Sequence, residues 1–301
     1  MVKGKLMKRK YRIISILMIT LMVFSSMTVS SFAASKPYVY VCTYQNYAQA
    51  QEVLKLINKE RSKRGLKKLK LDKALTKAAV QRAAEIGIYV PTKSPHRRPN
   101  GKLVKSLNKK ICYECCAEGY ESPAAVVHGW MTSPPHKRGI LLKSAKSVGI
   151  GCITTDGGYT YWTLEFSNSK RKKKVPAAGI VPAYKKVVAK SKYLKSSYFR
   201  IGDDRGPTML AMMPEIELGK ATAFSPYYQG KWNLNCEARL APTDFVWSSS
   251  NPAVAVVNEA GLVTPIAAGS FQLTAKMKRS PGCTATCVIT VYDPNSYEEW
   301  Y

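Results

Sequence analysis

Three short stretches of this chain hold the residue types that do chemistry. They are His96-Arg97-Arg98-Pro99-Asn100-Gly101, then Tyr113-Glu114-Cys115-Cys116-Ala117-Glu118-Gly119-Tyr120, then Trp130-Met131-Thr132-Ser133-Pro134-Pro135-His136-Lys137-Arg138-Gly139-Ile140-Leu141. The chain has only three histidines. Two of them, His96 and His136, lie in proline-containing loop or helix-start contexts, where side chains converge on clefts. Two imidazoles and one carboxylate can hold zinc or another divalent cation with an open position, or can move protons. On spacing alone this signal is weak, and surface or helix-capping histidines account for it too. No Ser-His-Asp or Cys-His nucleophile set is evident, so spacing leaves catalysis open.

The elements that must position these residues follow from periodicity. Ala50, Val53, Leu54, Leu56 and Ile57 repeat at helical spacing, and Gly65 stops that helix. Asp72 is an N-cap for a second helix, with Leu75, Ala78, Ala79, Ala83 and Ile86 on its inner stripe. Pro123 opens a third, with Val126, Val127 and Trp130 inward, and Ser133-Pro134-Pro135 ends it. Residues 147–155 and 159–166 are apolar and aromatic runs joined by Asp156-Gly157-Gly158, a hairpin signal. Helices packed on a sheet, an α+β fold, are expected for residues 35–168. Residues 205–293 alternate as short strands punctuated by Pro252, Gly261 and Gly269, which predicts an all-β sandwich. Residues 294–301 are a short tail.

Charge and cysteine content bound the setting. Among 301 residues, 47 Lys+Arg stand against 19 Asp+Glu, a formal net charge of +28. Hydrophobic residues at 46% exclude a wholly disordered chain. Six of the basic residues precede the apolar run Ile13–Phe24, and Ser31-Phe32-Ala33 follows it, which is the layout of a secretory signal peptide over residues 1–33. Its removal lowers the net charge from +28 to +22. Export makes the protein extracellular, secreted or wall-associated, with no membrane span once the signal is cleaved. It also argues against nucleic acid as the partner. Half of the remaining excess, 11 residues, lies in the acid-free stretch 169–200, so residues 169–204 are expected to be an extended basic linker. The eight cysteines are structural disulfides or buried thiols rather than zinc ligands in an exported chain, and their connectivity cannot be read from spacing.

As a set, the three stretches resemble the bacterial branch of the CAP superfamily, which includes cysteine-rich secretory proteins, insect antigen 5 and plant pathogenesis-related proteins. That pattern runs S-H-T-R-P-D-G, G-E-N-I-A-x-G-Y-x-S-P, W-M-x-S-P-G-H-R-x-N-I-L, a G-I-G strand and a Y-W-T-Q-x-F strand. Here the pieces are 95–101, 113–123, 130–141, 148–152 and 161–166, in the same order over about 130 residues with the two helices before them. The resemblance implies a three-layer α-β-α sandwich with a central cleft. It also implies His96, Glu114 and His136 as the cleft residues and metal ligands, with Glu118 the less favoured acid. Ser133 stands where some eukaryotic members place a second Glu, and His128 matches no family site. The chain departs from the pattern at Tyr113 (Gly), Cys115 (Asn), Pro135 (Gly), Gly139 (Asn) and Leu164 (Gln).

Trp247-Ser248-Ser249-Ser250-Asn251-Pro252, followed by Gly261-Leu262-Val263-Thr264, Ala267-Ala268-Gly269 and Thr284-Ala285-Thr286-Cys287, resembles a group 2 bacterial immunoglobulin-like domain. Trp247 and Asn251-Pro252 read as core and turn residues in it. Together the resemblances imply a cell-surface protein that binds anionic cell-wall polymers or a host or surface ligand. A metal-assisted or acid–base extracellular hydrolase and a lipid or sterol binder are the alternatives.

Overall fold

The computed structural model describes residues 37–88, 96–154, 159–229, 237–280 and 282–296. The signal-peptide segment 1–33, the Asp156-Gly157-Gly158 turn and Cys236 lie outside the described residues. The first half is built on one mixed sheet. Its strands are β1 (Tyr38–Asn46), β2 (Lys70–Leu71), β3 (Tyr113–Glu118), β4 (Ser147–Thr154), β5 (Thr160–Ser167) and β6 (Ile180–Val188). They are ordered β3-β5-β4-β1-β6, with β2 beside β4. Every residue of β5 is buried, because helices cover both faces of the sheet. Helix α1 (Tyr47–Ser62), α3 (Pro123–Thr132) and α4 (Pro134–Ile140) pack on one face, where Val53, Ile57, Val126, Trp130 and Ile140 meet Trp162, Leu164 and Phe166. Helix α2 (Lys73–Ile86) covers the other face. The result is the expected three-layer α-β-α sandwich.

Local chemistry sets each helix in place. Asn46 accepts from the Gln49 N–H (3.1 Å) at the start of α1. Asp72 accepts from Ala74 and Leu75 (2.9 and 3.1 Å) at the start of α2, as its sequence predicts. Ser122 caps α3 ahead of Pro123. Helix α2 is alanine-rich on its inner side and lies against Gly149 and Gly151 of β4, whose missing side chains leave room for its backbone. The buried Arg61 ties the end of α1 to the end of α4. It donates to the carbonyls of Lys67 (3.0 Å), Ile140 (2.7 Å) and Leu142 (3.0 Å), so the helix that carries His136 has a set position.

The stretch 169–204, expected to extend as a free basic linker, is instead built into the fold. β6 pairs antiparallel with β1 along its whole length, from Tyr38 opposite Val188 to Asn46 opposite Ile180. The lysines fit because β6 is an edge strand, where alternate residues reach solvent and Pro182 costs no central ladder bond. After it, β7 (Phe199–Gly202) pairs with β10 (Ser225–Gln229), which pairs with β11 (Glu237–Arg239). A short helix α5 (Pro207–Met212) and the strands β8 (Glu215–Glu217) and β9 (Thr222–Ala223) intervene.

The remaining strands are β12 (Phe245–Ser249), β13 (Ala255–Val257), β14 (Leu262–Pro265), β15 (Gly269–Met277) and β16 (Thr284–Tyr292). They form sheets β12-β15-β16-β8 and β13-β14-β9, the all-β sandwich read from the alternation. Trp247 is a core residue whose indole N–H donates to the Pro242 carbonyl (3.1 Å), and Asn251 closes a turn through its carbonyl. The two halves share one apolar core: Val39, Val41, Val80 and Ala84 lie in the same cluster as Phe199, Leu240, Phe245 and Trp247. A bridge between Val41 and Leu240, and a bond from the Ala241 N–H to the Tyr40 carbonyl (3.0 Å), join the backbones there. Among the described residues, Cys112, Cys115, Cys116, Cys152, Cys283 and Cys287 are thiols. Among the described residues, no helix is long and apolar enough to cross a membrane.

Candidate functional site

Glu114 sits on β3, the strand at the edge of the sheet, directly opposite Glu165 of β5. Its carboxylate is buried and fully engaged. Arg82 of α2 donates Nε–H to Oε1 (2.7 Å), and His96 donates Nδ1–H to Oε2 (2.6 Å). Burial alone would raise the Glu114 pKa, but the hydrogen bond from His96 and the charge and hydrogen bond of Arg82 outweigh it and hold the pKa below the usual range. The His96 side chain is half-exposed, at 52%, and Nε2 is its unengaged ring nitrogen. It borders a cavity of about 270 Å³ that is also lined by Val104, Cys112 and Tyr113.

A second ion pair stands behind the first. Glu85 lies one helical turn beyond Arg82, fully buried, and Arg98 grips it from the His96 loop (2.6 Å for Nη2 to Oε1). Two arginines therefore balance Glu85 and Glu114, and Glu165 has no cation left for it. Its oxygens make no hydrogen bond of normal geometry, and burial, with the neighbouring Glu114 charge, pushes its pKa well above the carboxylate range. Burial thus favours the protonated form of Glu165. Because the unfolded chain ionises this group where the fold keeps its proton, stability falls as pH rises through and above the ordinary carboxylate range. Glu165→Gln should retain or raise the wild-type Tm at about pH 7 and flatten the loss as pH rises above the ordinary carboxylate range in thermal unfolding. A steep loss of Tm at pH 7 in that variant would show that the ionised form is needed.

His136 begins α4 on the other side of β3. Successive strand residues point to opposite faces. Glu114 thus faces α2, while Cys115 faces α4 and its thiol lies 3.6 Å from the His136 carbonyl. Burial lowers the His136 pKa, and the His96 charge lowers it further. Glu118, the less favoured acid, is half-buried with a pKa raised by burial, and His128 is exposed on α3. As arranged, the three expected ligands do not fit a resident cation. Both Glu114 oxygens are taken, a buried guanidinium sits beside them, and among the described residues no group of three His, Cys, Asp or Glu side chains is placed to hold a metal.

Two of the departures from the family pattern explain one another. The Tyr113 ring lies over Gly139, where a Cβ would come within 2.5 Å of it, and the Tyr113 hydroxyl donates to the Pro135 carbonyl (2.8 Å). A tyrosine at 113 thus requires a glycine at 139, and it closes β3 against α4. Sequence reasoning missed Arg82, Glu85, Arg98 and Glu165. The available signal was charge on buried stripes: Arg82 and Glu85 interrupt an alanine-rich inner face, and Glu165 interrupts an aromatic strand.

The matching family models agree with this architecture. Residues 54–166 match the cysteine-rich secretory protein family, and residues 237–287 match the group 2 bacterial Ig-like domain. The chain thus carries a CAP domain followed by a bacterial Ig-like domain. A relative in Bacillus subtilis (strain 168), the uncharacterized protein YkwD, is 31% identical over 123 residues, which cover 40% of this chain and 47% of that protein. The chain therefore spans just under half the length of that relative. Among solved structures, an extracellular SCP-domain protein from Bacillus anthracis str. Ames is 21% identical with a TM-score of 0.34, covering 40% of each chain. An outer surface protein from Borrelia burgdorferi is also 21% identical at 0.34, covering 41% of this chain and 93% of its own.

Proposed function

We propose that this chain is an extracellular, envelope-associated binding protein. Its basic charge retains it on anionic surface polymers, and the cavity lined by His96 and Glu114 is a ligand site. The observation that carries a binding role over metal catalysis is the saturation of Glu114 by Arg82 and His96. That arrangement orders a pocket wall but offers a cation no vacant carboxylate. Long-range attraction to an anionic surface is salt-dependent, so protein held on whole cells at low ionic strength should elute as salt rises past about 0.15 M. The purified protein should carry no stoichiometric metal. Stoichiometric zinc that is lost in the His96→Ala/His136→Ala double variant would overturn this reading in favour of a metal centre.

One observation favours a second reading. Glu114 holds Nδ1 of His96, a residue that lines the cavity, which is how a carboxylate orients a general base. Under that reading the protein is an acid–base hydrolase. Among the described residues no Ser or Cys side chain hydrogen-bonds His96, so water would be its nucleophile. Hydrolytic activity lost in His96→Gln, with binding retained, would establish it.

A further inference from the structure

A second cavity lies on the opposite side of the CAP domain from His136, between α2, β1, β6 and the chain that leaves β5. It encloses about 590 Å³. Its rim carries Lys73, Lys77, Lys172, Lys173 and Lys185, and its one carboxylate is Asp72. Val80, Val175 and Ala183 supply an apolar floor.

The lysines are brought there by the fold. The Lys172 N–H donates to Asp72 Oδ2 (2.8 Å), and the Lys73 N–H donates to the Lys173 carbonyl (3.0 Å). Further along, Gln51 donates to the Pro176 carbonyl (3.0 Å) and the Tyr47 N–H to that of Gly179 (2.9 Å). These bonds lay the most basic run of the sequence against the first turn of α2. They also consume the acid. Asp72 Oδ1 caps Ala74 and Leu75, Oδ2 is held by Lys172, and neither oxygen forms an ion pair with an ammonium group. Lys77 of α2 and Lys185 of β6 both line the cavity, whose lining holds Asp72 as its one carboxylate. Burial of Lys185, together with the Lys77 charge, lowers the Lys185 pKa. The fold therefore gathers like charges into a cleft and leaves their countercharge to something else.

We propose that this cleft binds a phosphodiester-linked anionic polymer, with Lys77 and Lys185 at its centre and Lys73, Lys172 and Lys173 along its rim. The rim is all lysine. Ammonium groups act as point charges toward phosphate, whereas planar carboxylate recognition favours the arginine fork. The apolar floor suits the C–H face of a polyol backbone between phosphates. This inference rests on the envelope-binding reading and gives it a site.

The test uses the full chain and a soluble glycerol phosphate oligomer, with inorganic phosphate and phosphatidylglycerol vesicles as separate arms. Lys77→Met/Lys185→Met should weaken oligomer binding about tenfold by calorimetry, a loss of about 1.4 kcal/mol. The charge-matched control Lys59→Met/Lys67→Met, at exposed positions away from the cleft, should change it less than about twofold. Lys77→Gln/Lys185→Gln is the second variant should the Met pair alter the melting curve. Equal losses in cleft and control variants would overturn the site in favour of diffuse charge while leaving envelope binding standing. So would a wild-type protein that stays on cells but ignores the oligomer. Binding to vesicles alone would overturn the polymer in favour of a lipid headgroup, and equal affinity for inorganic phosphate would reduce the site to a single-anion pocket. Failure of wild-type protein to bind both cells and oligomer would overturn the inference and the reading it rests on.

Discussion

Arg82→Met should destabilise the fold by about 3–5 kcal/mol in urea unfolding, the cost of leaving a buried charge without its partner. Arg82 donates to Glu114 at 2.7 Å and lies 4.0 Å from Glu85, and all three are buried. Its removal takes the buried cation from Glu114 and leaves it His96, while Glu85 keeps Arg98. The pH dependence should also reverse. In the wild type the Glu114 pKa is lowered, so its contribution is present above the ordinary carboxylate range and is lost as pH falls through the folded pKa. In Arg82→Met burial would push the Glu114 pKa upward without the guanidinium to oppose it, and acidification should recover part of the stability. Adding Glu114→Gln should restore part of the loss, since removing both partners costs less than removing one. A loss below about 1 kcal/mol, unchanged by pH, would show that the pair contributes little.

Gly149→Ala should be nearly as damaging, at about 3 kcal/mol or more, or should leave no soluble folded protein. A Cβ there would lie 2.1 Å from the Leu75 carbonyl carbon and 2.2 Å from its oxygen, and those are backbone atoms of α2 that cannot rotate away. Gly151 meets Ala79 in the same way, at 2.6 Å. Gly65→Ala is the contrast. Its φ of +66° strains an alanine by about 1–2 kcal/mol, but nothing lies within 4 Å of the added atom. Circular dichroism melts of the two variants should rank Gly65→Ala well above Gly149→Ala. A Gly149→Ala protein that melts like wild type would mean that α2 can shift away from the sheet.

Elements whose hydrophobic period and caps agree were legible in the sequence. Asp72 before an alanine-rich stripe, Pro123 behind Ser122 and the hairpin strands all fold as their patterns predict, because local and tertiary preferences coincide there. The order of His96, Glu114 and His136 along the chain was legible through the family pattern. Their mutual geometry was not, because strand pleating sends Glu114 and Cys115 to opposite faces. The ion pairs behind Glu114 stayed hidden for the same kind of reason. Arg82 and Glu85 share one turn of α2, but Arg98, Glu114 and Glu165 come from other segments, and only the packing of α2 on the sheet brings them together. The basic stretch 169–204 was misread as a free linker because charge density argued for solvation, while its pairing with β1 depends on a strand more than 130 residues earlier.

The backbone junction at Val41 and Leu240 turns the protein from two beads on a string into a lever. A load applied to the immunoglobulin-like strands would pass through β11 and β1 directly into the sheet that carries both cavities. Whatever holds the lysine-rimmed cleft then also sets the direction in which the Ig-like end points. A single proteolytic cut between Val175 and Gly179 would not let that end swing away, since β6 and the shared core would still clamp it.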